Sequence, residues 1–460
     1  MFSRRSLMRH AVLAAGATAL PAAAQPKRDW AALGADVKAE MVWAWRHYRE
    51  RAWGKDEIRP VSGTFSSFPL KTAHLGLSLI EAMDTLWVMG LDAEFADALA
   101  WVKAELSFDV DGEVSVFETS IRLVSGLLSA HHACGDPKLL ALAKDLAERL
   151  LPAFQTPTGI PYRYVNLKTG AVRDPKTNPA ETGTYLPEWG TLSRLTGDAR
   201  FEQAAKRALV AMFERRSKLD LLADTIDATT GTWLSKRATI GPPVDSYYEY
   251  LWDGWQLLGD RDCLTMYRTL TAAILKHQRE VRDGRLWFTT VDFETGKVIS
   301  REQDELSSFY GGLLAQGGNM AEGAAYTRAF AWLQDKYGVL PEGYDYGSGA
   351  VTAKTNNLRP ELADAALNLW LLDGHEEWRE IARTHYLNMK ASSKTAYGYA
   401  ALADVTASPK VQRDHCPGYW WSEQMKYYYL MFADAKRFDY RRNYLSTEGN
   451  VLLGIKRGAA

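Results

Sequence analysis

One phrase recurs along this chain and restricts its fold more than any other feature. It consists of an apolar helix, a glycine-centred break usually followed by aspartate, and a second, amphipathic helix. It is written "TLWVMGLDAEFADALAWV", "LLSAHHACGDPKLLALAKDLAERLL", "GTLSRLTGDARFEQAAKRAL", "GWQLLGDRDCLTMYRTLTAAIL" and "NLWLLDGHEEWREIARTHYL", with a looser copy in "GGLLAQGGNMAEGAAYTRAFAWL". The breaks at Gly90, Gly135, Gly197, Gly259, Gly318 and Gly374 leave room for a helix pair and a loop in each copy. Each copy is a helical hairpin.

The two helices of a copy differ in a way that assigns them to layers. After the break, Leu139, Leu142, Leu146 and Leu150 keep to one face while Lys144, Asp145 and Glu148 lie off it, so the second helix has a wet side. Before the break, stretches such as "SYYEYLWDGWQLL" and "MKYYYLMF" are apolar or aromatic nearly all round, as in helices enclosed by others. Six or seven such hairpins either stack into an open solenoid or close into an (α/α) barrel. Closure is favoured because the copies are irregular and a solenoid would expose the aromatic inner faces. The polar stretches "TPTGIPYRYVNLKTGAV" and "RDGRLWFTTVDFETGKV" read as small β-hairpin insertions decorating one rim. The fold class is all-α, and residues 25–460 form a single barrel domain.

Composition bears on partners. The 460 residues include 47% hydrophobic ones, enough for a large core, and the formal net charge is -1. That balance provides no basic field for nucleic acid and no polybasic patch for a membrane. The start, "MFSRRSLMRHAVLAAGATALPAAAQ", has a basic region, a short apolar run and a small-residue end, the pattern of a cleaved export signal over residues 1–24. Arg4 and Arg5 give it a twin-arginine character. The expected protein is exported, periplasmic or secreted, free of the membrane after cleavage, and a monomer. Cys134, Cys263 and Cys416 stand far apart with no CxxC, so they are read as core thiols without a disulfide or a thiolate metal site.

In a closed barrel of hairpins every inner helix runs the same way, so the inner N-termini share one mouth. Glu118, Glu181, Glu188, Asp245, Glu361 and Glu423 all precede their hairpin break by about a dozen residues or somewhat more. Helix starting explains any one of them. Pro360 suits a first helical position, Glu361 and Asp364 favour the positive end of the dipole, and Asp245 before Ser-Tyr-Tyr-Glu is a good N-cap. It does not explain a ring. Carboxylates crowded into an aromatic cavity repel and are desolvated, which raises the pKa of some while others stay charged. Glycoside hydrolysis needs such a pair, one to protonate the leaving oxygen and one to activate water or attack carbon. A ring of oxygen ligands also suits a hard cation such as Ca²⁺.

The strings "SLIEAMDTLWVMGL", "VFETSIRLVSGLLSA", "TPTGIPYRYVNLKTG", "LSRLTGD", "DSYYEYL", "LRPE" and "STEGN" occur in an order that resembles glycoside hydrolase family 47 over nearly the whole mature chain. The resemblance implies an (α/α)7 barrel and a calcium-dependent, inverting, exo-acting hydrolase of α-1,2-linked mannosides or manno-oligosaccharides. It implies Glu118 as general acid, Glu361 as the base that activates water, and Asp245 as a third essential carboxylate. It places Thr447 on Ca²⁺, Arg122 on substrate, and Glu181, Glu188 and Glu423 around the pocket and the metal's waters, with Tyr419 as a sugar platform. Departures from the family pattern are Pro243 for a cation, Glu305 for a pocket histidine, Ser308 for a disulfide-bonded cysteine, and Asp364 for glutamate. They put branch preference in question and leave a lectin-like binding protein as the rival reading. A barrel epimerase is disfavoured because its expected histidine pair, His131 and His132, lies at the wrong end of its inner helix.

Overall fold

Seven helical hairpins close into a ring in the computed structural model, which describes residues 28–439 and 442–453. The proposed export signal therefore lies outside the described residues. In chain order the helices are α1 (Trp30–Arg51), α2 (Leu77–Val88), α3 (Asp92–Glu105), α4 (Val116–Thr119), α5 (Ser125–Cys134), α6 (Pro137–Leu150), α7 (Pro179–Gly183) and α8 (Leu186–Thr196). They continue with α9 (Arg200–Glu214), α10 (Asp245–Leu258), α11 (Arg261–His277), α12 (Tyr310–Gln316), α13 (Met320–Tyr337), α14 (Glu361–Asp373), α15 (Glu376–Ser393) and α16 (Met425–Phe432).

Seven of them, α2, α5, α8, α10, α12, α14 and α16, form the inner ring. The outer layer is α3, α6, α9, α11, α13 and α15, each packed on the inner helix before it, and α1, which packs on α16 and closes the circle. Layer follows side-chain pattern. In α2 every residue but Trp87 is buried, whereas the outer α6 buries Leu139, Leu142, Leu146 and Leu150 and wets its other face. The fold is an (α/α)7 barrel.

The two ends of the barrel are built differently. Inner helices pass to outer ones through tight turns, and the glycine breaks read from sequence sit there with left-handed backbones, φ being 73° at Gly135 and 74° at Gly259. Outer helices return through longer connections that carry the short antiparallel strands. "TPTGIPYRYVNLKTGAV" supplies Tyr164–Asn166 and Val172–Arg173, which join Glu113–Ser115 in a three-stranded sheet just before α4. "RDGRLWFTTVDFETGKV" contributes to two hairpins rather than one, Arg279–Arg282 with Arg285–Phe288 and Thr290–Asp292 with Val298–Ser300. The insertions thus surround the N-terminal ends of the inner helices.

One hairpin enters from the opposite end. Asn443–Leu445 pairs with Val451–Leu453 after α16, and the second strand packs against α5 and α8 inside the ring. Lys426 anchors it: its ammonium, with no exposed surface, lies 2.7 Å from Asp84 and donates to the Gly449 carbonyl. Asp84 also accepts from the Ser129 hydroxyl and the Val451 N–H, each at 2.8 Å. The hairpin plugs the barrel and carries its tip, Ser446 to Asn450, toward the mouth.

Two details correct the sequence reading. Pro360 caps α14 and Glu361 is its first residue, while Val244 caps α10 and Asp245 is the first residue, its carboxylate accepting from the Ser246 N–H. Both acids therefore stand at a helix start without spending themselves as caps. Cys134 is exposed, unlike buried Cys263 and Cys416; all three thiols are free. Cys134 ends α5, where the chain turns outward to solvent. Among the described residues no helix is long and apolar enough to cross a membrane.

Candidate active site

The mouth and the plug enclose a cavity of about 340 Å³ in the barrel's centre. Inner helix starts deliver most of its wall: Glu118 from α4, Glu181 from α7, Asp245 and Glu249 from α10, and Glu361 and Asp364 from α14. Two helices open with a π-helical turn, Ser120–Val124 before α5 and Trp420–Gln424 before α16, and these turns present Arg122 and Glu423 to the cavity. Such wide turns recur at functional sites because they re-aim a side chain that α-geometry would turn away. The plug contributes Ser446, Thr447 and Glu448.

Ion pairs organise one wall. The Arg122 guanidinium donates to Glu118 at 2.8 Å, to Glu81 at 3.0 Å and to Glu448, so it bridges the mouth, α2 and the plug. The i,i+4 pair with Glu118 is one of three contacts. Arg359, in the turn before α14, pairs with Glu342 at 3.1 Å. Both guanidiniums lie 5.5 Å from the centre of the Tyr419 ring, whose hydroxyl donates to the Asn357 carbonyl at 2.7 Å. The ring thus holds two cations, a role separate from the sugar platform expected of it. Thr447 donates to Glu249 at 2.8 Å.

Acids outnumber cations here. Glu118, Glu181, Asp245, Glu249, Asp253, Glu361, Asp364, Glu423 and Glu448 line the cavity against Arg122 and Arg359. That excess cannot all be ionised in a desolvated space. Burial pushes Asp245 up to about 6, against the pull of the Ser246 N–H and Arg359. It pushes Glu361 up to about 8 although Arg359 is near, and Asp364 up to about 7 although Asn368 donates to it. Glu249 and Glu423 are raised by burial and then by neighbouring carboxylates. Burial works against the charge of Arg122, but Glu448, Glu118 and Glu81 hold it well above its ordinary value.

Of the residues singled out from sequence, Glu118, Arg122, Glu181, Asp245, Glu361, Asp364, Tyr419, Glu423 and Thr447 line this one cavity, with Pro243 at its edge. Glu188 and Glu305 do not line it. Glu188 is fully buried, accepts from the Tyr250 hydroxyl at 2.5 Å, and is pushed up to about 8 by burial. Glu305 is buried too; its Oε2 accepts from Asn356 at 2.8 Å, and burial, then Glu342 and Glu361, raise its pKa. Sequence reasoning missed Glu249, one helical turn after Asp245; Glu448, next to Thr447; Arg359, within "LRPE"; and Glu81, on the deep face of α2.

Thr447 lines the cavity with its hydroxyl on the buried Glu249 carboxylate, and one oxygen of Glu361, in the same lining, has no hydrogen-bond partner. This donor set fits a hard divalent cation. No group of three or more His, Cys, Asp or Glu among the described residues is placed to ligate a metal directly. A cation there would be held by Thr447 and by water, with Glu249, Glu361 and Glu423 on the waters.

A carboxylate-lined pocket at the mouth of an (α/α)7 barrel has the acid pair that glycoside hydrolysis needs, and the family match and relatives make this chain a glycoside hydrolase. The sequence model of Glycosyl hydrolase family 47 matches residues 40–453, and the chain belongs to that family, the α-mannosidases. It is 35% identical over 444 residues to Alpha-mannosidase I MNS5 of Arabidopsis thaliana, covering 90% of this chain and 76% of that one. It is 31% identical over 446 residues to Mannosyl-oligosaccharide 1,2-alpha-mannosidase MNS1 of the same plant, covering 92% and 78%. An α-1,2-mannosidase from Trichoderma reesei shares the fold with a TM-score of 0.84 at 24% identity, over 92% of this chain and 99% of that one.

Proposed function

We propose that this family member is an exo-acting α-1,2-mannosidase that requires Ca²⁺ and inverts configuration, releasing β-mannose. The observation that carries the reading is the arrival of Glu118, Asp245 and Glu361 in one cavity with Thr447. A pocket closed below by the plug admits a terminal sugar rather than the middle of a chain. Relatives named as 1,2-α-mannosidases support the linkage.

Each residue has a task in this reading. Glu361 accepts the proton of the attacking water. Glu118 or Asp245 gives a proton to the leaving oxygen, and Arg122 fixes the Glu118 carboxylate. Ca²⁺ supplies, when bound, the positive charge that an acid ring of this kind lacks and a fixed seat for sugar hydroxyls. Arg359 favours the ionised form of Glu361. We further propose that residues 1–24 export the chain to the periplasm or the medium, where it works as a monomer on mannosides from outside.

The test is release of mannose from α-1,2-mannobiose by the purified protein with added Ca²⁺ and with excess chelator. Turnover that stops on chelation and returns with Ca²⁺ supports the reading. Calcium-dependent binding of the disaccharide without turnover would make the protein a lectin-like member of the family.

A further inference from the structure

We propose that Arg163 and Glu181 form the subsite for the second sugar of the substrate, the one that leaves, and so decide how strongly the protein prefers a sugar leaving group to a small one. This rests on the mannosidase reading above. Arg163 stands just before the strand Tyr164–Asn166, and its carbonyl accepts from the N–H of Val116, the first residue of α4, at 2.9 Å. Its guanidinium grips Glu181 across two atom pairs, Nη2 to Oε1 at 2.8 Å and Nε to Oε2 at 2.6 Å. Glu181 lines the cavity from α7, and next to it the Ala180 N–H donates to the Pro243 carbonyl at 3.2 Å, two residues before Asp245. The pair therefore bridges the mouth between the segment that carries Glu118 and the segment that carries Asp245.

The order of the ring puts this arc on the leaving-group side. Neighbouring inner helices run α2, α5, α8, α10, α12, α14, α16 and back to α2. α7 leads into α8 and packs against α4 and α10. Glu361 opens α14, three helices from α8 one way round and four the other, as far as a ring of seven allows. In an inverting reaction the attacking water and the leaving group lie on opposite faces of the sugar. Water held by Glu361 therefore drives the leaving sugar toward α7, past both candidate proton donors. The plug closes the inner end, so that sugar departs through the mouth, where the side chain of Arg163 is 33% exposed and that of Glu181 15%. The chemistry there suits neighbouring hydroxyls. Arg163 Nη1 lies 3.6 Å from Asp174, too far for a hydrogen bond, and keeps donors for a hydroxyl, while the Glu181 carboxylate has lone pairs left to accept from another. The two cations that line the cavity are committed elsewhere, Arg122 to three carboxylates and Arg359 to Glu342.

The test compares kcat/KM for α-1,2-mannobiose with kcat/KM for α-mannosyl fluoride, which has the same terminal sugar and no second one. Parent, Arg163→Ala and Glu181→Gln proteins are measured with Ca²⁺ present. Loss of charge-assisted hydrogen bonds to the second sugar lowers the mannobiose-to-fluoride ratio by about 10-fold in Arg163→Ala. Glu181→Gln keeps the shape of the side chain but not the ion pair, and lowers the ratio several-fold. A ratio within about 2-fold of the parent in either variant overturns the subsite. That includes the case in which both substrates lose turnover together, as a merely structural role for the pair would give. A parent that takes the fluoride and leaves the disaccharide intact overturns it too. The two readings fail differently. A parent that hydrolyses neither substrate strikes the mannosidase reading and the subsite with it, whereas hydrolysis of both with an unmoved ratio strikes only the subsite.

Discussion

Replacing Lys426 with methionine keeps the length and volume of the side chain and removes one charge from the heart of the barrel. The ammonium is fully buried, 2.7 Å from an Asp84 carboxylate that is 1% exposed on its side chain, and it also donates to the Gly449 carbonyl. Breaking a buried pair from one side costs about 3–5 kcal/mol, and an orphaned carbonyl adds about 1–3 kcal/mol. The Ser129 hydroxyl and the Val451 N–H still donate to the stranded Asp84 carboxylate and offset part of this. The net expected loss is roughly 4–6 kcal/mol, which at about 2.1 cal/mol/K per residue lowers Tm by roughly 5 °C for a chain of this size. Thermal unfolding by calorimetry reads it. Asp84→Asn in the Lys426→Met background removes the stranded charge yet keeps an acceptor for Ser129 and the Val451 N–H. The double variant therefore regains at least about 2 kcal/mol relative to additivity. Because the same hairpin presents Thr447, half-saturation by Ca²⁺ also shifts upward several-fold in Lys426→Met. A Lys426→Met protein within 1 °C of the parent (~1 kcal/mol at this size), or a double variant that is merely additive, would refute the idea that this pair seats the plug.

Glu361→Gln, Asp245→Asn and Glu118→Gln should each lower kcat by about 10²–10⁴ while circular dichroism and Tm stay near the parent, as removal of a proton-transfer group does. Arg122→Lys should lose much of kcat, because one ammonium cannot reach Glu118, Glu81 and Glu448 together as the guanidinium does. Steady-state kinetics at saturating substrate reads both. Glu188→Gln should flatten the stability profile. Its carboxyl, raised to about 8 by burial, contributes stability below the ordinary carboxylate range that is lost as pH climbs toward 8. Over that window the parent falls by roughly 1.4 kcal/mol per pH unit relative to the variant, measurable by urea unfolding at pH 5, 6, 7 and 8.

The layers of the barrel were legible because a helix's surroundings leave their mark on its period: α2 is apolar all round and α6 has one wet face. The turns were legible because a left-handed residue at Gly135 or Gly259 all but demands glycine. The ring of acids followed from one rule, that inner helices run in parallel, and it brought Glu118, Glu181, Asp245 and Glu361 together correctly. That rule says nothing about depth. Glu188 starts its inner helix as the others do, yet lies buried against Tyr250 outside the cavity lining, because α7 precedes α8 and occupies the mouth with Glu181. Glu249 and Glu448 were illegible for a different reason. Glu249 follows Asp245 by one turn of α10, but its partner Thr447 lies 198 residues away, and Glu448 pairs with Arg122 across 326; no local pattern encodes pairings of that span.

Calcium-dependent inversion is tested most directly by proton NMR of α-1,2-mannobiose during the first minutes of hydrolysis, with Ca²⁺ and with chelator. The expected result is β-mannose as the first anomer formed, before mutarotation, and no product once Ca²⁺ is removed. First appearance of α-mannose, or release that continues undiminished in chelator, would contradict it.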